Sequence, residues 1–176
     1  YAVTFIDNHD TFERSDSKDN QFGGYNVDLK NANVKAQILQ ANAYILMMPG
    51  IPCVFWPHWK SYQKEINEMI AIRKLVGIHS ESEVTDETSG AQAYSAVIHG
   101  HRGKVILRLG QGREISAPAG YRIAAIGNHY SIYVEEGQAV PEVKVDDAAP
   151  IKYMQDGQLF LRRDGQVYNM TGQRVQ

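Results

Sequence analysis

Tyr1-Ala2-Val3-Thr4-Phe5-Ile6-Asp7-Asn8-His9-Asp10 runs through six mostly apolar, β-favouring residues and then turns abruptly polar. An unbroken run of this kind up to Asp7 reads as a strand entering a packed sheet. Two carboxylates, an amide and an imidazole are costly to desolvate unless each is paired. They therefore belong at a rim, where they meet water or a ligand. In parallel β/α architectures the C-terminal strand ends form such a rim, and reactive groups collect there. The same four residues also suit a local turn, in which Asx side chains bond nearby backbone.

Working outward, residues 11–30 are polar, carry Gly23-Gly24 and have the composition of a loop. A helix follows, its apolar stripe being Val34, Ile38, Ala41, Ile45 and Met48. Pro49-Gly50 stops it, and Pro52 to Trp56 reads as a second strand. A further helix opens at Ser61 or Tyr62, turns Ile66, Met69, Ile70 and Val76 inward, and ends at Gly77. The order strand, helix, strand, helix implies a parallel β/α layout for residues 1–79.

From Glu81 the pattern changes to short alternating strands with glycine-rich turns. Ala93–Ile98 and Lys104–Leu109 flank a hairpin turn, as do Tyr121–Ile126 and Tyr130–Val134. Residues 80–135 thus read as a small antiparallel β domain, and 136–150 as a linker with two prolines and Asp146-Asp147. The tail, 151–176, repeats itself: Asp156-Gly157-Gln158-Leu159-Phe160, then Asp164-Gly165-Gln166-Val167-Tyr168. Asp-Gly suits a type I′ turn, which predicts a three-stranded meander from Ile151 to Met170.

Two stretches carry a family resemblance. Phe5-Ile6-Asp7-Asn8-His9-Asp10 resembles the phrase F-(I/V)-D-N-H-D that closes barrel strand seven of the α-amylase family of retaining glycoside hydrolases. Ala43-Tyr44 through Pro49-Gly50-Ile51-Pro52-Cys53-Val54-Phe55 resembles the family's lead into strand eight. Similarity continues through Lys64-Glu65-Ile66 and Gly77-Ile78-His79-Ser80, and on to Tyr130-Ser131-Ile132-Tyr133 in the manner of the plant-like branch. About three quarters of the chain is covered, with the motifs in the family's order.

The resemblance implies the last two β/α units of a (β/α)₈ barrel, a small antiparallel β domain and a β-hairpin tail. The fold class is then α/β plus all-β. A whole barrel takes about 250 residues, so these 176 read as the C-terminal fragment of a longer α-amylase, whose N-terminal barrel portion is the missing partner. Retaining glycosidases flank an oxocarbenium-like transition state with a nucleophile and an acid/base carboxylate. By resemblance these two belong to strands four and five, outside this chain, so the fragment alone is expected to be inactive.

The family's third carboxylate maps onto Asp10, the catalytic residue of this segment, and His9 onto the partner that hydrogen-bonds the sugar. Asp7 and Asn8 read as supports of the strand end. Trp56, Trp59 and Tyr62 cluster after strand eight, where aromatic faces stack on sugars or fill a barrel mouth. Trp56-Pro57-His58 stands where the family often has Tyr-Gly-Asp-Glu or Tyr-Asp-His. Trp56, His58 and Trp59 are therefore the substrate-binding candidates beside His9, and α-glucans (starch, maltooligosaccharides) the implied substrates. No metal ligand is assigned here, and any calcium belongs to the remainder of the parent. The tail is similar to those ending exported proteins of some Gram-negative anaerobes, which with the family implies an extracellular or periplasmic location.

Composition narrows the alternatives. A net charge of −2 gives no electrostatic footprint for nucleic acid, and no apolar run is long enough to span a membrane. Cys53, the only cysteine, reads as a buried, inert thiol in an apolar strand. Two rivals from other classes stand. Asn8-His9-Asp10 with Gly100-His101 resembles a metallophosphoesterase pattern, though Gly103 stands where its second histidine belongs. A non-catalytic carbohydrate-binding or structural module would use Tyr94, Tyr121 and Tyr130 as stacking faces.

Overall fold

The computed structural model describes residues 2–8, 32–139, 151–155, 158–163 and 166–175. Contacts divide the chain into a unit of residues 1–143 and a second of residues 144–176. In the first, β1 (Val3–Thr4) pairs in parallel with β2 (Ile51–Pro52), Val3 opposite Ile51 and Thr4 opposite Pro52. Ile51 N donates to Ala2 O and Cys53 N to Thr4 O, which carries the ladder one step past each end. Parallel neighbours need a crossover, and helix α1 (Ala32–Met47) lies within it.

The second strand is shorter than the apolar run Pro52 to Trp56 suggested. Trp56 instead opens helix α2 (Trp56–Ser61), with Pro57 in the first turn, where its missing N–H costs nothing. Cys53 is exposed, which corrects its reading as a buried thiol. Side chains alternate along a strand. Ile51 and Cys53 share the open face, while Pro52 and Val54 on the other are half-buried.

Helix α1 buries Ala36, Ile38, Leu39, Ala43, Ile45, Leu46 and Met47, a wider face than the single stripe expected. The reason is packing on two sides, against helix α3 (Gln63–Val76) and against strands of the sheet below. Buried Asn42 is accommodated by donating Nδ2 to the Ile38 carbonyl one turn back. In α3 the inward face is Ile66, Met69, Ile72 and Val76, with Ile72 buried rather than Ile70. Gly77 closes the helix in the left-handed region (φ 76°), donating its N–H to Arg73 O, while Ile78 N donates to the same carbonyl.

A five-stranded antiparallel sheet follows, in the order β3-β4-β5-β7-β6: β3 Glu83–Ser89, β4 Tyr94–Gly100, β5 Gly103–Leu109, β6 Tyr121–Gly127 and β7 Tyr130–Glu135. Both expected hairpins are present. Strand β3 carries Asp86 and Glu87, both exposed, with a register shift between Thr85 and Thr88 and a positive φ at Asp86. Ala96, Ile98, Val105, Leu107, Leu109, Ile132 and Val134 join Leu39, Ala43, Leu46, Ile66, Met69 and Ile72 in one apolar core. Residues on both sides of position 80 therefore share it. The β4–β5 turn, His101-Arg102, rests on the end of α3: His101 N donates to Gly77 O and Arg102 N to Val76 O. This approach requires Gly100, whose Cβ would sit 2.3 Å from the Val76 carbonyl oxygen.

The second unit is an antiparallel sheet ordered β11-β10-β9-β8: β8 Ile151–Gln155, β9 Gln158–Arg163, β10 Gln166–Tyr168 and β11 Arg174–Val175. The expected meander is extended by a fourth strand. The Asn169 side-chain oxygen makes that possible by accepting from Thr171 N, Thr171 Oγ1 and Gln173 N. The Asp-Gly pairs at 156–157 and 164–165 lie outside the described residues.

Candidate active-site segment

The parallel register sets which residues meet at the strand ends. Asp7 lies three residues beyond Thr4, and Phe55 three beyond Pro52, so the two strands deliver them to the same end of the pair. His58 follows one helical turn after Phe55 and lies edge-on to it, ring centroids 5.3 Å apart at 89°. Its Nε2 sits 3.5 Å from Asp7 Oδ2, while Asp7 Oδ1 accepts the Asn8 backbone N–H at 3.0 Å. One carboxylate thus touches the backbone entering His9 and the helix that follows β2.

His58 is only 1% exposed. Burial pushes its imidazole below the ordinary value of 6.5, against a smaller upward pull from the Asp7 carboxylate. A neutral ring near pH 7 results, turned inward onto Asp7 rather than toward solvent. His9 and Asp10, on which the sugar-binding and catalytic assignments rest, lie outside the described residues.

Among the described residues, Trp56 is the most exposed large apolar side chain near this end, at 64%. It stacks on Trp59 with centroids 4.9 Å apart and an interplanar angle of 27°. Trp59 is held in turn by donating Nε1 to Asn67 Oδ1 of α3 at 2.9 Å. The spacing of three along a helix places both indoles on one face, so the outer ring stands on a fixed inner one. Tyr62, grouped with them in the sequence, is instead buried, with Lys35 Nζ 5.4 Å from its ring centroid.

Two acids of the β sheet accept hydrogen bonds from it. Glu87 Oε1 accepts from Tyr94 O–H at 2.8 Å, and burial together with that carboxylate raises the Tyr94 phenol well above its usual range. Glu135 Oε2 accepts from Lys104 N. Tyr130 is buried, its ring against Gly127. Among the described residues no three His, Cys, Asp or Glu side chains are grouped to hold a metal ion.

The pairing of Asp7 with His58 is what sequence reading missed. The residues are 51 positions apart, and only the register of two neighbouring parallel strands brings them together. Aligning the two strand ends, offset by 48 residues, is the signal that could have found it.

The described residues thus bring together a parallel strand pair, the Asp7–His58 contact and an exposed aromatic step. No family profile matches the chain. It is 33% identical over 136 residues to an alpha-amylase type B isozyme of Hordeum vulgare, covering 75% of this chain and 78% of that protein. Over 136 residues it is 31% identical to a chloroplastic alpha-amylase 3 of Arabidopsis thaliana, and over 111 residues 32% identical to a glucan 1,4-alpha-maltotetraohydrolase of Stutzerimonas stutzeri. It spans 13% and 19% of those two longer proteins. The chain belongs to the α-amylase family of glycoside hydrolases and corresponds to a C-terminal portion of it.

Proposed function

We propose that this chain supplies the strand-seven and strand-eight rim of an α-amylase that hydrolyses α-1,4-glucosidic bonds of starch-like glucans with retention. The observation that carries the proposal is the Phe5–Asp10 sequence motif that follows β1, a strand parallel to β2, in a chain 33% identical to a protein named as an alpha-amylase. In this reading β1 and β2 are the last two strands of a (β/α)₈ barrel, and the sheet β3–β7 is the C-terminal β domain.

Asp10 acts as an ionised carboxylate near the anomeric carbon, where positive charge develops, and supplies transition-state electrostatics. His9 donates to a sugar hydroxyl, and Trp56, backed by Trp59, offers a flat face to a glucose ring. The nucleophile and the acid/base come from strands four and five of the parent. Calcium, where used, is held there too. Residues 1–176 alone therefore turn over no glucan. The relatives' names and the tail support an exported or organellar enzyme, and we favour an extracellular or periplasmic one, with the tail serving export or attachment.

The test is steady-state kinetics of Asp10→Asn in the full-length parent on a soluble maltooligosaccharide. The substitution keeps shape and removes charge. It should lower kcat by a hundredfold to a thousandfold, about 2.7–4 kcal/mol, with little change in KM. His9→Ala should be milder and should also raise KM. Near-parental kcat in Asp10→Asn would overturn the assignment.

A further inference from the structure

We infer that His58 is a positioning residue: it acts through Asp7 to fix the strand end that presents His9 and Asp10, and does not itself touch the sugar. The inference rests on the glucan-hydrolase reading above. Its starting point is burial. A side chain 1% exposed is closed to a substrate hydroxyl, whereas Trp56, two residues earlier on the same helix, is open to solvent.

The contact His58 does make is specific. Its Nε2 faces one oxygen of Asp7 at 3.5 Å, and the other oxygen of that carboxylate receives the Asn8 N–H at 3.0 Å. Asp7 is thereby fixed from two sides, by the backbone leading into His9 and by the helix after the neighbouring strand. Three residues of chain reach at most about 11 Å, so the place of the Asp7 backbone bounds how far away Asp10 can stand. At 3.5 Å the pair is a polar contact longer than a good hydrogen bond, as active-site contacts often are before substrate binds.

The residue type fits the task. A neutral imidazole orients Asp7 without adding positive charge beside a centre where positive charge develops. A lysine or arginine there would orient the carboxylate and oppose the reaction at once. The ring also packs edge-on against Phe55.

The experiment is a set of variants in the full-length parent: His58→Phe, His58→Gln, Asp7→Asn and the His58→Phe/Asp7→Asn pair, with Asp10→Asn alongside. His58→Phe keeps the ring and removes the donor. It should lower kcat about tenfold, the order seen when an outer-shell partner is lost, and leave KM within about twofold. His58→Gln, which restores an N–H, should recover most of that loss, and the double variant should be no slower than the slower single. Unchanged kcat in His58→Phe, a rise in KM alone, or losses that multiply in the double variant would each overturn the inference. If Asp10→Asn also keeps its kcat, the glucan-hydrolase reading falls with it. A large loss in Asp10→Asn beside an intact His58→Phe sinks the positioning role only. Should the His58 variants not fold, NMR titration of the imidazole in residues 1–176 decides. Asp7→Asn removes the anion and should move the His58 midpoint further down. An unmoved midpoint means the two side chains do not act on each other, and overturns the inference.

Discussion

The Arg73 guanidinium spans 23 residues of sequence to donate Nη2 to the Gly50 carbonyl at 2.8 Å. Its Nη1 donates to Leu46 O at 2.7 Å and Met48 O at 2.8 Å. One side chain of α3 thus satisfies carbonyls that the end of α1 and the Pro49-Gly50 turn leave without helical partners. The planar fork suits this, since a single cation can serve three acceptors held in fixed directions. Helix α1 and the entry to β2 are tied together from outside, and so is the approach of β2 to β1.

Removing the fork should therefore cost more than its charge. Arg73→Leu keeps the stem and strands the carbonyls, so a loss of about 1.5–3 kcal/mol is expected, the range for hydrogen bonds to a charged group. Arg73→Lys keeps the charge and should lose less. Urea unfolding of residues 1–176 checks both. A Lys variant as stable as the parent would mean that charge, rather than the three-way geometry, carries the effect.

Gly100 gives a sharper steric test. Its Cβ would meet the Val76 carbonyl oxygen at 2.3 Å, and that oxygen is backbone in the last turn of α3. Gly100→Ala must push the β4–β5 turn away, stretching the Arg102 N–H bond to Val76 O and the His101 N–H bond to Gly77 O. A destabilisation of about 1–3 kcal/mol follows from overpacking of this kind. Amide exchange should quicken at His101 and Arg102 before it does in the middle of β5. Unchanged protection at those two amides counts against it.

The direction of the His58 shift makes a prediction about pH. With its folded-state value below the ordinary 6.5, the unfolded chain binds the extra proton first as acid is added. Stability is then fully present above about 6.5 and is lost as the pH falls toward the lower folded-state value. His58→Gln removes the titration and should flatten that part of the curve. Thermal melts of both proteins across pH 5 to 8 would measure it, and parallel curves would show that folding does not shift the His58 titration.

Much of this architecture was legible because local signals and tertiary packing agree. The apolar run before Asp7, the Pro49-Gly50 stop, the Gly77 cap and the two β hairpins all state their own ends in sequence. What stayed hidden depends on contacts that no local pattern records. Pro52 to Trp56 looks like one strand, but Pro57 favours a helix start and the ladder with β1 stops early. Cys53 looks buried because its neighbours are apolar, yet it falls on the open side of the pleat. Tyr62 shares the spacing of Trp56 and Trp59 but points into the core. The bend at Asp86 that brings exposed Glu87 within reach of Tyr94 also has no local signal. The Asp7–His58 contact needed the register of β1 on β2 before it could be seen.

Trp56 and Trp59 separate binding from stability in one experiment. Trp56 is 64% exposed and covers little, so Trp56→Ala should barely change the unfolding midpoint. Trp59 is half-buried and tied to Asn67, so Trp59→Ala should destabilise by about 2–3 kcal/mol, less than a fully buried Trp→Ala change. If the outer indole stacks on a glucose ring, Trp56→Ala in the full-length parent should raise KM for a maltooligosaccharide about threefold to tenfold. That is the loss of about 0.7–1.4 kcal/mol, a typical worth for one aromatic stacking contact. kcat should stay near parental, because a ring stacked away from the reacting bond contributes equally to ground and transition states. Asn67→Leu frees Trp59 without removing either indole. It should give a smaller KM rise in the same direction, through the loosened support of the platform. A Trp56→Ala variant with parental KM and parental stability would leave the exposed indole no part in glucan binding.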